Sequence, residues 1–307
     1  MILLCGIPSE PPLAMVREAL RELHVPTILF NQRHSAQTQF GFSIEQGHAQ
    51  GTLLLDGEMY ELENIKGVYL RLMDEQSLPE LEGLPAQTPE RKRSRNLHDA
   101  IMRWTEITRA RVVNRLRPMG SNSSKPYQAQ LIARHGFSIP ETLITNDPEL
   151  AREFYAEHKR VIYKSISSVR SIVQELGPED LKRLEHIRWC PTQFQAFVAG
   201  TNVRVHVVGQ EVYATRILSE VTDYRYAQRQ GGAAELSAVE LSEELAEKCR
   251  QLAAALELPF AGIDLKITPE DEVFCFEVNP SPGFSYYESH TGQPIALSVA
   301  RYLCGMS

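Results

Sequence analysis

Cysteine is scarce in this sequence, and the five that occur are too scattered to form a disulfide or zinc framework. They lie at Cys5, Cys190, Cys249, Cys275 and Cys304, and no two of them form a Cys-x-x-Cys pair. An odd number of separated cysteines is typical of a reducing compartment. The sequence therefore predicts free thiols and a cytoplasmic location.

Long apolar runs and an excess of basic charge are missing as well. No segment approaches the roughly 20 consecutive apolar residues that a membrane-spanning helix needs. The N-terminal segment MILLCGIPSEPP has no basic region before its short apolar run, which favours a buried strand over a signal peptide. The net charge of −7 argues against non-specific binding of nucleic acid. We therefore expect neither a membrane nor a nucleic acid as partner.

The N-terminal third has the pattern of a small α/β domain without a glycine-rich fingerprint. A strand, a helix and a strand are predicted at residues 2–7, 11–23 and 27–30. The first turn reads GIPSEPP, which argues against a dinucleotide site there. Further strands are predicted within residues 52–72, with a turn at Asp56-Gly57. The segment RLRPMGSNSSKP breaks secondary structure, and we place the boundary there, between residues 1–118 and 119–307.

Strands and helices alternate again after this boundary, which predicts a mixed α/β (α+β) fold. Helices are predicted at residues 126–135 and 148–158, and strands at TLITN, VIYK and near residues 193–198, 203–208 and 212–217. A polar loop over residues 219–235 separates these strands from a helix over 238–256. The Ser237-x-x-Glu240 capping box predicts where that helix begins.

A basic run precedes the helix predicted through residues 97–107. It contains Arg91, Lys92, Arg93 and Arg95. A solvated helix face is the simplest interpretation, because the segment lacks interleaved aromatic residues. A nucleic-acid surface and a docking surface for an acidic peptide remain alternatives.

A predicted hairpin near the C-terminus carries two carboxylates on one face. Ile263, Leu265 and Ile267 alternate with Asp264 and Lys266, and on the return strand Phe274, Phe276 and Val278 alternate with Cys275, Glu277 and Asn279. If Thr268 pairs with Val273, Asp264 lies opposite Glu277, about 5 Å away, with Asn279 next on the same face. Like charges at that separation repel unless a cation lies between them, and such oxygen ligands suit Mg²⁺. The alternative is an amphipathic hairpin whose polar face is solvated.

The string FEVNPSPGF, with GIDLK before it, resembles the metal-binding end of ATP-grasp enzymes, above all RimK-like glutamate ligases. The resemblance covers roughly residues 119–305. It implies an ATP-grasp fold preceded by a small α/β domain, with a lysine-bearing subdomain at 119–192 and a metal-binding subdomain at 193–307. It also implies that Asp264, Glu277 and Asn279 hold magnesium ions against the phosphates of ATP.

Other family positions can be matched one at a time. The residues that match nucleotide-binding positions are Lys125, Lys164, the adenine hinge Gln195, Ala196, Phe197 and Val198, and Asn202 in place of the usual Asp near the ribose. The residues that match basic positions facing phosphate or carboxylate are Arg204, Arg216 and Arg225, with Arg229 as an alternative to Arg225. Arginine suits both roles because its planar fork binds carboxylate or phosphate with two hydrogen bonds.

Two sequence features concern which subgroup of this family the chain resembles. The loop after Lys164 reads SISSVRSIV and lacks the glycines that are usual in the family. The segments GVYLRL and 114–147, the latter containing N-R-x-R-P and G-F-x-I-P-x-T-L-I-T-N-D, resemble the microviridin-type (graspetide) peptide ligases.

The resemblance implies an ATP- and magnesium-dependent ligase that joins a carboxylate to an amine or a hydroxyl through an acyl phosphate. The expected substrate is a peptide, an amino acid or another small-molecule carboxylate, and a homodimer is a family-level expectation. The alternative is a non-catalytic, regulatory nucleotide-binding protein, which the missing glycines after Lys164 favour.

Overall fold

The computed structural model describes residues 1–165, 173–219 and 234–306. The strands are β1 Ile2–Gly6, β2 Thr27–Asn31, β3 Gln39–Glu45, β4 His48–Leu55, β5 Glu58–Glu61, β6 Gly67–Arg71, β7 Arg111–Val113, β8 Thr142–Thr145, β9 Val161–Ser165, β10 Gln174–Glu175, β11 Thr192–Ala196, β12 Thr201–Val208, β13 Glu211–Ser219, β14 Ala234–Val239, β15 Phe260–Ile267 and β16 Val273–Asn279. The α-helices are α1 Pro11–Glu22, α2 Pro89–Ile107, α3 Leu116–Met119, α4 Lys125–Arg134, α5 Pro148–His158, α6 Pro178–Lys182, α7 Glu243–Ala255, α8 Ser285–Thr291 and α9 Ile295–Cys304. Among these helices, none combines the length and the apolar character that a membrane crossing requires. All five cysteines are free thiols.

The N-terminal residues form a parallel sheet in the order β2-β1-β6-β7, as the strand–helix–strand pattern predicts. Every residue of β1 is buried, which is typical of a strand covered on both faces. One face packs against α1 and α9 through an apolar cluster that includes Leu4, Val16 and Val299. The other packs against α2 through a cluster that includes Leu3 and Trp104. The C-terminal helix α9 therefore completes the core of the N-terminal domain.

A three-stranded antiparallel sheet, β3-β4-β5, extends the N-terminal domain. The turn predicted at Asp56-Gly57 is confirmed, and both residues have the positive φ that a tight hairpin turn requires. The preceding hairpin, which turns at Gln46-Gly47, is missing from the sequence prediction. Most of β3 is exposed, so its sequence carries little apolar alternation to reveal it.

The lysine-bearing sheet has the order β10-β9-β11-β8 and contains Lys164 on β9. Strand β11 pairs with both β8 and β9. The subdomain division expected after residue 192 therefore falls inside this sheet, and the two C-terminal sheets separate between Ala196 and Thr201 instead.

The last sheet is antiparallel and five-stranded, in the order β14-β13-β12-β15-β16. Helix α7 covers one face through an apolar cluster that includes Cys249, Leu252 and Ile263. The expected helix start at the Ser237 capping box is wrong, because Ser237 lies in β14 opposite Arg216. The helix begins at Glu243, and the Ser242 hydroxyl accepts the capping hydrogen bond from the N–H of Leu245 at 3.3 Å.

The basic run lies within α2, and three of its arginines are tied to the protein's own backbone. Arg91 donates to the carbonyl of Leu81, Arg93 to those of Ser35 and Thr38, and Arg95 to that of Ala86. These guanidinium groups hold α2 against neighbouring loops, which favours the structural interpretation of the run over a docking surface.

Candidate active site

The hairpin of β15 and β16 places Asp264 directly opposite Glu277, as the sequence predicts. The register assumed for that prediction is wrong, because Ile267, not Thr268, pairs with Val273. A β-bulge between Asp264 and Leu265 on one side and Cys275 and Glu277 on the other restores the pairing. An extra residue in one strand shifts the side-chain alternation beyond it.

The bulge corrects the expected faces of β16. Cys275 is buried in the apolar cluster with Val278, although it was expected on the polar face. Phe276 lines the same cleft as Glu277, although it was expected on the apolar face. The hairpin therefore presents an aromatic ring and two carboxylates together, which simple alternation cannot do.

Each carboxylate of the hairpin has its own cation. The Lys125 ammonium donates to Glu277 and, at 2.7 Å, to the side-chain oxygen of Asn122. The Arg204 guanidinium donates to Asp264 at 2.6 Å, and its side chain is almost fully buried. Burial raises the pKa of Glu277, but the charges of Lys125, Lys164 and Arg204 outweigh it, so the net pKa lies below the ordinary value. Glu277 is therefore ionised near neutral pH.

Gly262 makes room for the Arg204 guanidinium. A Cβ atom at Gly262 would lie 2.4 Å from Nη2 of Arg204 and 2.8 Å from Cβ of Pro282. The ring centre of Tyr287 lies 5.7 Å from the guanidinium carbon, within the range of a cation–π contact. Gly262, the glycine of the GIDLK string, therefore leaves the space in which the Arg204 guanidinium lies beside Asp264.

Two buried amide side chains hold the outer edge of β16 and the loop that follows it. Gln128 on α4 donates to the carbonyl of Val278 at 2.8 Å and accepts from its N–H at 3.0 Å. Asn114 donates to the carbonyls of Phe260 and Pro280 and accepts from the N–H of Phe260. Sequence reasoning missed both residues, although Asn114 opens the quoted N-R-x-R-P motif and Gln128 follows Lys125 by one helical turn.

The loop after β16 connects the hairpin to the N-terminal domain. The Asn279 side-chain oxygen accepts from the N–H of Ser281 at 2.9 Å, which orients the amide. Arg71, the arginine of the GVYLRL segment, donates to the hydroxyl of Ser281 at 2.7 Å and to Glu10. The end of β6 therefore supports the loop that carries Asn279.

A cleft between the lysine-bearing sheet and the five-stranded sheet collects most of the expected nucleotide residues. Among the cleft-lining residues are the expected Lys164, Gln195, Phe197, Val198, Asn202, Asp264 and Glu277. The cleft has a charged part, formed by Lys164 and the two carboxylates. It also has an apolar part with Phe197 and Phe276. Lys266 lies beside Phe197 and Phe276 and two residues beyond Asp264 on β15, so the apolar part is displaced along this strand from the charged part.

The remaining expected arginines are not placed at this cleft by the described residues. Arg216 pairs with Val203 on the face of the sheet opposite to Arg204, and its guanidinium donates to the hydroxyl of Ser237 at 3.3 Å. Side chains of adjacent residues on a strand point to opposite faces, so Arg216 does not face the site that contains Arg204. Arg225 and the alternative Arg229 fall within residues 220–233, outside the described part of the chain.

The structure describes the hinge, residues 195–198, and only the two ends of the loop after Lys164. The N–H of Ala196 donates to the carbonyl of Glu141 and that of Phe197 to the carbonyl of Arg160, so these two hinge donors are used within the protein. Ala196 does not line the cleft, which leaves its expected adenine contact unsupported. Of the glycine-free loop SISSVRSIV, residues 166–172 lie outside the described part of the chain.

The donor chemistry fits magnesium and a polyphosphate. Asp264 and Glu277 face each other across the hairpin, and each is in an ion pair with a basic side chain. In the described residues no third carboxylate, histidine or cysteine joins them. The amide oxygen of Asn279 is therefore the candidate third ligand, and two carboxylates with an amide are oxygen ligands that Mg²⁺ accepts.

Comparisons with known proteins agree with this geometry. A family model for the RimK-like ATP-grasp domain matches residues 122–303. A probable α-L-glutamate ligase of Parasynechococcus marenigrum is 28% identical over 269 residues, which cover 78% of this chain but only 55% of that relative's length. A second one, from Xylella fastidiosa, is 27% identical over 214 residues, covering 62% of this chain and 70% of the relative.

Solved structures match over the whole chain. The ATP-grasp ligase PsnB, complexed with minimal precursor, Mg and ADP, is 27% identical with a TM-score of 0.80, covering 99% of this chain and 96% of that one. A RiPP-associated ATP-grasp ligase of Chryseobacterium gregarium, in complex with ADP and a leader and core peptide, has a TM-score of 0.84 at 23% identity, with coverages of 100% and 97%. The chain therefore has the ATP-grasp fold, with the N-terminal domain included in the match.

Proposed function

We propose that this protein, which belongs to the family of RimK-like ATP-grasp ligases, uses ATP to activate a carboxylate side chain of a peptide and joins it to an amine or hydroxyl of that peptide. ATP and magnesium are the proposed cosubstrate and cofactor, as in the PsnB complex that contains ADP and Mg. The observation that carries the proposal is the cleft in which Lys164 and the two carboxylates, one paired with Arg204 and the other with Lys125, lie beside an apolar part with aromatic walls. That separation suits a nucleotide, whose base is flat and apolar and whose phosphates are anionic.

The proposed reaction needs positioning and charge rather than an enzyme nucleophile. A substrate carboxylate oxygen attacks the γ-phosphorus of ATP in line, the bond to the β-phosphate oxygen breaks, and an acyl phosphate and ADP form. An amine or hydroxyl then attacks the carbonyl carbon, inorganic phosphate leaves, and a proton is lost from the attacking group. Arg204, Lys125 and Lys164 would stabilise the negative charge on the transferred group.

Magnesium would be held by Asp264, Glu277 and Asn279 and would supply charge neutralisation of the phosphates. The ion pairs of both carboxylates support this assignment, because they hold the oxygens in place before any ion binds. Lys125 and Arg204 each lie beside a metal-ligand candidate and add positive charge to the region that would hold the phosphates.

A peptide is a better supported substrate than a free amino acid. The structures matched over the whole chain include complexes of PsnB with minimal precursor and of the Chryseobacterium enzyme with leader and core peptides. The match includes the N-terminal domain, whereas the glutamate ligase of Parasynechococcus is matched over about half its length. Addition of free glutamate, as the names of those relatives indicate, is the second candidate.

Product mass separates the two candidates. The protein would be incubated with ATP, Mg²⁺ and a peptide library rich in Asp, Glu, Lys, Ser and Thr, and separately with free glutamate and the same peptides. We expect ADP release that depends on peptide, together with the loss of one water per bond formed. A gain of one glutamyl residue would replace this proposal with the glutamate-ligase activity. Nucleotide binding without carboxylate-dependent ADP release would favour a regulatory nucleotide-binding protein.

A further inference from the structure

Two side chains of the N-terminal domain hold the loop that follows Asn279. Arg71 is the last residue of β6, and Asn114 follows the last residue of the neighbouring strand β7. Their hydrogen bonds converge on two consecutive loop residues, Pro280 and Ser281. We infer that Arg71 is a positioning residue for magnesium binding, which acts through Ser281 to fix the amide of Asn279. The inference rests on the proposed function, because it assumes that Asn279 is a metal ligand.

The Ser281 N–H determines which atom of the Asn279 amide faces it. This N–H lies 2.9 Å from Oδ1 of Asn279, and the amide nitrogen could not take the place of that oxygen because it cannot accept a hydrogen bond. A carbonyl oxygen has two lone pairs, so Oδ1 can accept from Ser281 and still bind a metal ion. A displacement of Ser281 would therefore displace or release the candidate metal ligand.

The Arg71 guanidinium holds both oxygens of Ser281. Its Nη1 donates to the hydroxyl at 2.7 Å and to the backbone carbonyl at 3.2 Å. Ser281 lies between Pro280 and Pro282, and each proline ring restricts the φ angle of its own residue. Because the loop is stiff on both sides of Ser281, contacts at this one residue are transmitted to the neighbouring Asn279.

Glu10 fixes the direction of the Arg71 guanidinium. Its carboxylate accepts from Nε at 2.9 Å and 3.1 Å and also from Nη2, which leaves Nη1 directed at Ser281. The Arg71 side chain is 13% exposed, so this ion pair is largely shielded from water. A guanidinium is a rigid planar fork, whereas a lysine ammonium is a single flexible point charge. Lysine at this position could not reproduce both sets of contacts in the same geometry.

Arg111 offers an internal contrast to Arg71. It begins β7 and donates to the carbonyl of Tyr302 on α9 at 3.2 Å. Arg111 pairs with Gly67 at the start of β6, so the two arginines are separated by the length of that strand, about 13 Å. Both arginines join the N-terminal domain to the C-terminal part of the chain, and of the two Arg71 is the one that contacts the loop after Asn279.

Metal binding tests the inference without relying on turnover. Mn²⁺ binding to the protein with ADP would be followed by the electron paramagnetic resonance signal of free Mn²⁺, and Mg²⁺ and Ca²⁺ would be measured by competition. We expect Arg71→Lys to weaken Mn²⁺ and Mg²⁺ binding about tenfold, as for other groups that orient metal ligands. Ca²⁺ binding should weaken less, because Ca²⁺ tolerates irregular geometry and Mg²⁺ requires a near-ideal octahedron. Arg111→Lys is the matched control and should change none of these affinities.

Ser281→Ala is a milder second variant. It removes the hydroxyl that Arg71 contacts and keeps the N–H that orients Asn279. We expect metal binding to weaken about threefold, as for the loss of one hydrogen bond. Unchanged metal binding in this variant and in Arg71→Lys would overturn the role of Ser281 as the link.

Asn279→Ala gives a test that a general loss of stability cannot imitate. It removes the ligand that Arg71 is inferred to position, so Arg71→Lys should not weaken metal binding further in this background. Its effect on the free energy of unfolding should persist, because the contacts with Glu10 and Ser281 are still lost. Additive losses of metal affinity would overturn the route through Asn279.

The outcomes separate this inference from the proposed function. Normal metal binding in Arg71→Lys, together with weakened binding in Asp264→Asn, would overturn the positioning role and leave the ligase proposal standing. Equal losses in Arg71→Lys and Arg111→Lys would reduce Arg71 to a structural contact. Undiminished Mn²⁺ binding in both Asp264→Asn and Asn279→Ala would overturn the metal assignment on which the inference and the proposed function both depend.

Discussion

The β15–β16 hairpin and the β3–β4 hairpin are both antiparallel ribbons, but their surroundings differ. The first is buried in a five-stranded sheet, and Gln128 and the backbone of Ser138 occupy its outer edge. The second lies at the surface, and Ile44 on β3 is 63% exposed. Alternation alone therefore does not make a site. Partners from distant parts of the chain fix the functional groups of β15 and β16, whereas β3 meets a distant element through an apolar contact, that of the Phe40 ring with Trp104 on α2.

Removal of a hairpin carboxylate should have the largest effect. Asp264→Asn and Glu277→Gln should each lower magnesium-dependent ATP turnover on the order of a hundredfold to a thousandfold, the range for loss of one charge-stabilising group. Steady-state ADP release at several magnesium concentrations would measure this. Glu45→Gln, at the tip of the surface hairpin, is the matched control and should retain full activity. Normal turnover in both site variants would end the metal assignment.

Loss of the Gln128 side chain, which hydrogen-bonds the backbone of Val278 at the edge of β16, should have the next largest effect. In Gln128→Leu the N–H and carbonyl of Val278 lose their partner, which we expect to lower the free energy of unfolding by roughly 1–3 kcal/mol. Magnesium affinity should fall about tenfold, because groups that orient metal ligands typically contribute that much or more. Chemical denaturation and magnesium titration of ATP turnover are the measurements. Gln50→Leu on β4 should change neither quantity appreciably, and equal effects of the two variants would contradict the comparison.

Two glycines provide a more local test. Gly262→Ala places a Cβ against the Arg204 guanidinium and Pro282, whereas a Cβ at Gly41 on β3 would meet nothing within 4 Å. We expect Gly262→Ala to lower the free energy of unfolding by about 1–3 kcal/mol and to reduce turnover. Gly41→Ala should be neutral or slightly stabilising, since glycine is unfavourable in a strand. Thermal unfolding and ADP release would be compared, and equal behaviour would remove the proposed role of Gly262.

The smallest expected effect concerns pH. The pKa of Glu277 is lower in the folded protein than its ordinary value of 4.5, so its ion pairs stabilise the fold fully above that value. This stabilisation disappears as the pH falls towards the lower native pKa. Lys125→Met should reduce the dependence of unfolding free energy on pH in that acidic window. Urea denaturation from neutral to acidic pH would measure it, with Lys248→Met on α7 as the control, and parallel curves for all three proteins would contradict the assigned pairing.

Local signals predicted much of this molecule, and contacts between distant residues account for most of what they missed. The opposition of Asp264 and Glu277 was predicted from an assumed pairing of Thr268 with Val273, whereas the structure reaches it through the bulge beside Phe276. That bulge depends on how the completed sheet packs and has no short sequence signal. Arg216 was misplaced because an alignment by spacing ignores which face of β13 a residue occupies. Ser237 satisfies the local pattern of a helix cap, yet strand pairing with β13 overrides it. Gln128 could be found only once α4 and β16 were side by side, and Asn114 only once the end of β7 lay beside the start of β15.

The position of α9 has a consequence for how the polypeptide acquires its shape during synthesis. One face of the first sheet is covered by α1 and by α9, which comes from residues 295–304. A nascent chain that has produced only the first hundred or so residues still exposes apolar side chains of that face, such as Leu4 and Tyr69. The N-terminal domain, although it is synthesised first, therefore cannot complete its core before α9 has been made. An isolated N-terminal fragment should aggregate or require a chaperone.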